Sequence, residues 1–452
     1  MDTHSLHFAS RWAVRAAAVL VLLTPACVIR MSDRNAPLVN GGVSGPNADC
    51  TTSNLPPASS SSGTRILGAA TTKLMGRFDL TDPTKPRFDW SGNAMTARFQ
   101  GTEVTWGAES GVEVAYEEVI DGNITKVILG GAVENHTVTR HLPDGFHEIT
   151  VMRTSEALYG DGTFLPFTFG PNTTQLPVPE KSHRIEYIGD SITCGYGDEG
   201  QNATCPYDVT IRTAPDGQGG IDEVKVPMTM NIYLAYGSIA ARQLDAEATT
   251  VCFSGKGVNV NYREIGFGEG AKADPKAKPD PDAKTVIPDY YLRTVATERP
   301  EAGGRLWDFS KEAEPEVVVV NVGTNDFARD LNQDTVPDGI DLPAFQAAYA
   351  RFVDFIRTKR PNAHIFLAVP PMITDKFPLD NARTDLRNTL HAIVEQRNGA
   401  GDAKIYFMEY VEMGTRYGLG CDYHPNLEVH RIMADQTVGA IRSKTCWPTV
   451  EN

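Results

Sequence analysis

After Pro177-Val178-Pro179 the hydrophobic pattern of the chain changes period, and two kinds of folding unit follow from that change. Upstream, from about residue 66 to 174, the pattern has period two. Met95, Ala97 and Phe99 alternate with Thr96, Arg98 and Gln100, and Val112, Val114 and Tyr116 with Glu113, Ala115 and Glu117. Asp121-Gly122-Asn123 and Pro143-Asp144-Gly145 are turn signals between such runs. Many short strands without a convincing helix predict an all-β, jelly-roll-like sandwich over residues 64–178. Downstream, buried-type strand runs occur at 184–189, 249–254, 317–322, 364–369 and 404–409. Helical patterns at 231–245 and 342–360 lie between them, with Phe345, Ala348, Tyr349, Phe352 and Ile356 on one face of the second. That alternation predicts an α/β domain over 184–446, a parallel five-stranded sheet flanked by helices. Ligands bind such sheets at the C-terminal strand ends, near a topological switch point. Residues 268–287, rich in Pro, Lys, Asp and Ala, read as a solvated insertion. The short, proline-stiffened connection predicts that the two domains are docked rather than loosely tethered.

The N-terminus carries a different message. Arg11 and Arg15 precede an apolar run at 16–23, then Thr24-Pro25-Ala26-Cys27. Residues 1–26 read as a secretory signal, the apolar run being too short to span a bilayer. Ala26-Cys27 is also similar to a bacterial lipoprotein cut site, which would leave Cys27 lipidated; ordinary cleavage nearby is the other outcome. A secreted or cell-envelope-attached protein is expected either way. Residues 27–63, with Pro56-Pro57 before a serine run, read as a flexible linker. The formal charge of −15 becomes −16 once the signal is removed, which argues against nucleic acid or an anionic membrane as partner. A monomer is expected. With Cys27 set aside, six cysteines remain in an oxidising compartment. Closeness in sequence suggests Cys194–Cys205 and Cys421–Cys446 bridges around two candidate loops. No C-x-x-C is present, so a zinc ribbon or a redox motif is not expected, and no H-E-x-x-H is present either.

Four short motifs fall at predicted strand ends or on a late loop. Gly189-Asp190-Ser191 ends the first strand and presents a serine. Ser254-Gly255-Lys256-Gly257 ends the second, where a glycine lets a backbone N–H approach a ligand; Gly255 and Gly257 are alternatives for that donor. Gly323-Thr324-Asn325-Asp326 follows the four-valine strand, and the Asn325 amide can donate to an oxyanion. Asp422-Tyr423-His424-Pro425-Asn426 supplies a base, with Asp422 placed to orient the imidazole. Taken singly, each motif is as compatible with an ordinary turn.

Together, in the order Ser, Gly, Asn, His, they resemble the SGNH or GDSL-type hydrolase superfamily over about residues 184–446. Within it the chain is similar to carbohydrate esterase family 2, through GDSITCGYG, SGKG, NVGTNDF and the Asp-x-His-Pro-Asn end. GRFD at 76–79, FDWSG at 88–92 and RTSEALYG at 153–160 extend the likeness into the β-sandwich. The superfamily usually has Asp-x-x-His. Here Cys421 stands at the third place before His424, so the acid falls to Asp422. The resemblance implies an exported esterase that removes O-acetyl groups from polysaccharides, with 6-O-acetyl hexose or acetyl xylan as substrate. It implies Ser191 as nucleophile, His424 as base, and Ser191, Gly255 and Asn325 as the oxyanion hole, with no metal or organic cofactor needed. Two alternatives stay open at this point: a sugar-binding surface lipoprotein with a degenerate hydrolase domain, and a lipase-like or aryl esterase.

Overall fold

The computed structural model describes residues 43–45, 47, 48, 50, 71–131, 136–206, 208–215, 221–263, 281–332, 334 and 336–450. The expected signal at 1–26, Cys27, most of the expected linker at 27–63 and residues 268–280 of the expected insertion lie outside them.

The first domain is one antiparallel system of eight strands: β1 (Thr72–Met75), β2 (Arg87–Phe88), β3 (Ala94–Glu109), β4 (Glu113–Ile120), β5 (Asn123–Gly130), β6 (Thr137–Arg153), β7 (Gly162–Phe169) and β8 (Thr174–Leu176). The order is β2-β7-β3-β6-β4-β5, with β1 and β8 also on β3. Register shifts at Gly101/Glu103 and Thr105/Gly107 mark bulges in β3, which let one long strand bend to serve both layers of the sandwich. The inward residues of the period-two pattern, Met95, Ala97 and Phe99, join Trp106, Val114 and Tyr116 in its core.

The second domain runs β9 (His183–Gly189), α1 (Ser191–Cys194), a hairpin β10 (Asp208–Pro215) and β11 (Ile221–Pro227), α2 (Tyr236–Gln243), β12 (Ala246–Cys252), α3 (Ile287–Tyr290), β13 (Val317–Asn321), α4 (Thr324–Phe327), α5 (Leu342–Lys359), β14 (His364–Val369), α6 (Ala382–Gly399), β15 (Ile405–Glu409) and α7 (Leu427–Thr445). The five strands are parallel in the order β12-β9-β13-β14-β15. Val318 and Val320 of β13 pack in one core with α5 and α6, while Val317 and Val319 pack in another with α2 and α7. A strand apolar on both faces needs helices on both, and here it has them. The chain passes from β9 outward to β12 and then back across to β13, so the switch point lies at β9.

Several expectations need correcting. The helix expected over 231–245 begins only at Tyr236, because the Asn231 side chain accepts the Tyr233 N–H at 3.1 Å and holds a turn there. The β10–β11 hairpin was not expected at all. The insertion is not wholly solvated: Ile287 is fully buried, and the Asp282 carboxylate pairs with Arg293 at 2.8 Å. Part of the expected flexible linker is held in place. Ser44 exchanges hydrogen bonds with Phe407 of β15, the Ala48 N–H reaches Ser443 O at 2.7 Å, and Cys50 is bridged to Cys446.

The two domains are docked. Arg77, fully buried in the first, donates to Glu186 of β9 at 3.1 Å and to the Tyr291 carbonyl at 2.6 Å. Trp90 Nε1 donates to Thr294 O at 3.0 Å, and its ring lies in the core of the second domain. Asp89 accepts from the N–H groups of Ala296 and Thr297. Glu156 accepts from the Ser254 N–H at 2.6 Å and from its hydroxyl.

Candidate active site

Ser191 is set by the end of β9. The Asp190 carboxylate caps α1 by accepting the Ile192 N–H at 3.1 Å. Gly195, left-handed at φ 79° and ψ 30°, stops the helix after one turn. Ser191 is thus held at the first helical position, where its backbone N–H has no intrahelical partner.

His424 comes from the loop before α7. Its backbone N–H reaches Cys421 O at 3.0 Å, Pro425 follows, and Asn426 caps α7 through the Val429 N–H at 3.1 Å. This brings His424 Nε2 to 2.9 Å from Ser191 Oγ, across 233 residues of sequence. Nδ1 lies 3.0 Å from the main-chain carbonyl of Asp422. With Nε2 accepting from the serine, Nδ1 carries the hydrogen and donates it to that carbonyl. The expectation that the Asp422 carboxylate orients the imidazole is therefore corrected. Asp422 is left-handed, at φ 49° and ψ 41°, and its carboxylate accepts instead from the Tyr196 hydroxyl at 2.7 Å.

The other expected oxyanion donors follow β12 and β13, the two strands that flank β9. Gly255 has φ 74°, a conformation that favours glycine, and among the described residues its N–H has no hydrogen bond. The Gly257 N–H is committed to Asn261 Oδ1 at 3.2 Å, which separates the two alternatives. The Asn325 amide donates one hydrogen to Lys256 O at 3.0 Å. Its other contact, to Asp190 Oδ2, is long at 3.4 Å, leaving that hydrogen for a better acceptor. Asn325→Ala is expected to lower kcat by about two to three orders of magnitude, the usual cost of one such donor. Steady-state kinetics on an acetate ester checks this, and an unchanged kcat removes Asn325 from the oxyanion hole.

Three supporting residues had no assigned role in the sequence reading. Asp190 is the cap just described. Asp326 accepts the N–H groups of Val258, Asn259 and Val260 at 2.8 to 3.0 Å and so shapes the loop after Gly255. Glu156 holds Ser254 from the other domain. Each is a buried carboxylate in a quoted motif, but only the fold shows what it faces.

The disulfides also differ from expectation. Cys194 pairs with Cys252, Cys205 with Cys421 and Cys446 with Cys50. Pairing of β9 with β12 places Cys252 beside the start of the site, so adjacency in the sheet outweighs closeness in sequence.

Burial pushes the His424 imidazole down to about 4, outweighing the opposing pull of Asp422. It is then a neutral base throughout the physiological range. The acid limb of kcat/KM is expected near pH 4, with activity lost as pH falls through that value. An acid limb at about 6.5, the ordinary histidine value, would contradict this.

Comparison with known proteins bears on the family of the chain. Residues 74–179 match the family described as carbohydrate esterase 2 N-terminal, and residues 187–432 the GDSL-like lipase/acylhydrolase family. A family two carbohydrate esterase from Clostridium thermocellum, solved in complex with cellohexaose, is 31% identical. The match covers 83% of this chain and 99% of that one, with a TM-score of 0.66. This chain belongs to carbohydrate esterase family 2. The cellulase/esterase CelE of Acetivibrio thermocellus is 32% identical over 374 residues, which is 82% of this chain and 39% of CelE. The family 2 chain thus spans well under half the length of that relative. An acetylxylan esterase/glucomannan deacetylase of Cellvibrio japonicus is 22% identical, covering 80% of this chain and 87% of its own. In this family 2 member Ser191 and His424 fall inside the GDSL-like match, and Glu156 inside the N-terminal one.

Proposed function

We propose that the chain is an exported serine carbohydrate esterase, secreted or attached to the cell envelope, that removes O-acetyl groups from polysaccharides or oligosaccharides through an acyl-enzyme. The observation that carries the reading is the 2.9 Å contact between His424 Nε2 and Ser191 Oγ at the C-terminal rim of the sheet. His424 takes the serine proton as Oγ attacks the acetyl carbonyl. The Ser191 and Gly255 N–H groups and the Asn325 amide receive the charge on the carbonyl oxygen. His424 then gives its proton to the departing sugar oxygen, which leaves as the free hydroxyl. Water, deprotonated by the same imidazole, attacks the acetyl-serine; acetate leaves, and Ser191 Oγ takes the proton back from His424.

Support for a carbohydrate comes from the relatives and from the rim itself. The curated relatives are named for acetylxylan, glucomannan and cellulose chemistry. Tyr423, next to His424, is 63% exposed, where a sugar ring can lie against it. Export rests on the basic and apolar pattern of residues 11–26. Acetate release across a panel of acetylated glycans tests the proposal. Release from acetylated xylan, glucomannan or 6-O-acetyl hexosides, with little cleavage of long-chain acyl esters, is expected. Preference for long acyl chains would assign a lipase-like activity, and binding without acetate release would assign a sugar-binding protein.

A further inference from the structure

The Asp422 side chain faces away from the base it was expected to serve, and something holds it there. Tyr196 lies five residues after Ser191 and is tied to it by the Tyr196 N–H on Ser191 O at 3.0 Å. Its ring centroid is 4.4 Å from that of His424, and its hydroxyl donates to Asp422 Oδ2 at 2.7 Å. We infer that Tyr196 is a positioning residue: by holding the Asp422 carboxylate, its hydroxyl fixes the left-handed backbone of Asp422 and aims the Asp422 carbonyl at His424 Nδ1. This inference rests on the esterase reading of Ser191 and His424.

The chemistry of the imidazole makes the arrangement exclusive. Nδ1 has one hydrogen to give, so the carbonyl and the carboxylate of Asp422 compete for it. A left-handed aspartate is an uncommon backbone state, kept where surrounding contacts over-determine it. Among the described residues, three contacts hold this loop besides the Tyr196 hydroxyl. The Cys421 N–H reaches Gly197 O at 3.0 Å, the Asp422 N–H reaches Ala203 O at 3.0 Å, and Cys421 is bridged to Cys205. All three partners lie on the segment that continues from Tyr196. The approach is close enough that a Cβ at Gly200 would meet the Cys421 nitrogen at 2.6 Å. One stretch of chain, 195–205, therefore ties the base loop to the nucleophile turn. Burial and the adjacent Asp422 raise the Tyr196 phenol above its ordinary value, so it stays a donor.

The test uses full-length Ser191→Ala, Tyr196→Phe, Asp422→Asn, Asp422→Ala and the Tyr196→Phe/Asp422→Ala double variant, assayed on p-nitrophenyl acetate with melting curves alongside. Tyr196→Phe keeps the ring and removes only the hydroxyl. It is expected to lower kcat about tenfold with KM changed less than twofold and an unchanged melting temperature. Asp422→Ala is expected to match it. Asp422→Asn is expected to stay within about threefold of wild type, because its amide oxygen accepts the same hydrogen bond and asparagine tolerates the left-handed state. The double variant is expected to be no worse than either single change. Wild-type kcat for Tyr196→Phe would overturn the inference. So would an Asp422→Asn loss equal to that of Asp422→Ala, which would mark the carboxylate as acting on His424 directly. Ser191→Ala separates the two levels. If it is inactive while Tyr196→Phe is silent, the inference alone fails; if it retains activity, the esterase reading fails with it.

Discussion

Replacing Ser191 or His424 with alanine is expected to lower kcat/KM on an acetate ester by about three orders of magnitude or more while leaving the fold intact. The two side chains form one unit, joined at 2.9 Å, and neither has a role without the other. A serine hydroxyl is protonated at neutral pH and attacks a carbonyl only as its proton leaves, so losing the base removes the nucleophile as well. The double variant is therefore expected to be no slower than either single one. Some rate above that of water should survive, because the proposed oxyanion donors, the Gly255 N–H and the Asn325 amide, are untouched by either change. Stability should change little. Ser191→Ala removes one hydroxyl from a residue already 7% exposed, and His424 stands at the rim, half-buried on its loop. Steady-state kinetics and a urea titration separate the two effects. Near-wild-type activity in Ser191→Ala would sink the mechanism, and a large loss of stability in either variant would make lost activity uninformative.

What the sequence made legible follows a physical division. Strands of the parallel sheet are apolar on both faces, so Val317 to Val320 announce a central strand by composition alone. The residue after such a strand must sit at the sheet rim, which is why Ser191 and Asn325 could be placed without coordinates. The gap between Ser191 and His424 was bridged by resemblance, since no local pattern tells which strand end a loop 233 residues away will reach. Side-chain direction was not legible. Asp422 was expected to use its carboxylate, but direction depends on φ, and nothing local announces a left-handed aspartate before His424. Disulfide partners were missed for a related reason. Cys194 and Cys252 meet only because β9 and β12 are neighbours, and strand order is a tertiary fact. The β10–β11 hairpin lies between the first expected strand and the helix expected at 231–245, in a stretch to which no element had been assigned.

Arg77→Ala is expected to destabilise the full-length protein by about 3–5 kcal/mol, the cost of breaking a buried ion pair from one side. Glu186 lies fully buried in β9 between two guanidinium groups, Arg77 from the β-sandwich and Arg360 from the end of α5. Burial alone would raise its carboxyl, but Arg360 and Arg77 outweigh burial and hold it below the ordinary range. Removing Arg77 leaves that charge under-compensated, and it also strips a hydrogen-bond donor from the Tyr291 carbonyl. The same docking reaches the chemistry through Glu156. Its carboxylate holds the Ser254 N–H and hydroxyl, one residue before the oxyanion glycine. Glu156→Ala should therefore lower kcat on a small acetate ester, where sugar binding cannot contribute, by about tenfold or more. It should also cost about 1–3 kcal/mol for the buried donor it leaves unpaired. An accessory sugar-binding module on a flexible arm would behave differently, with both changes silent on small esters and on the hydrolase domain's unfolding. Suppose Arg77→Ala unfolds at the wild-type urea midpoint and Glu156→Ala keeps the wild-type kcat. Then the sandwich is a passenger, and the oxyanion loop is held by its own domain. If instead both fall as expected, the sandwich is a wall of the active site, because the group that fixes Ser254 beside Gly255 belongs to it.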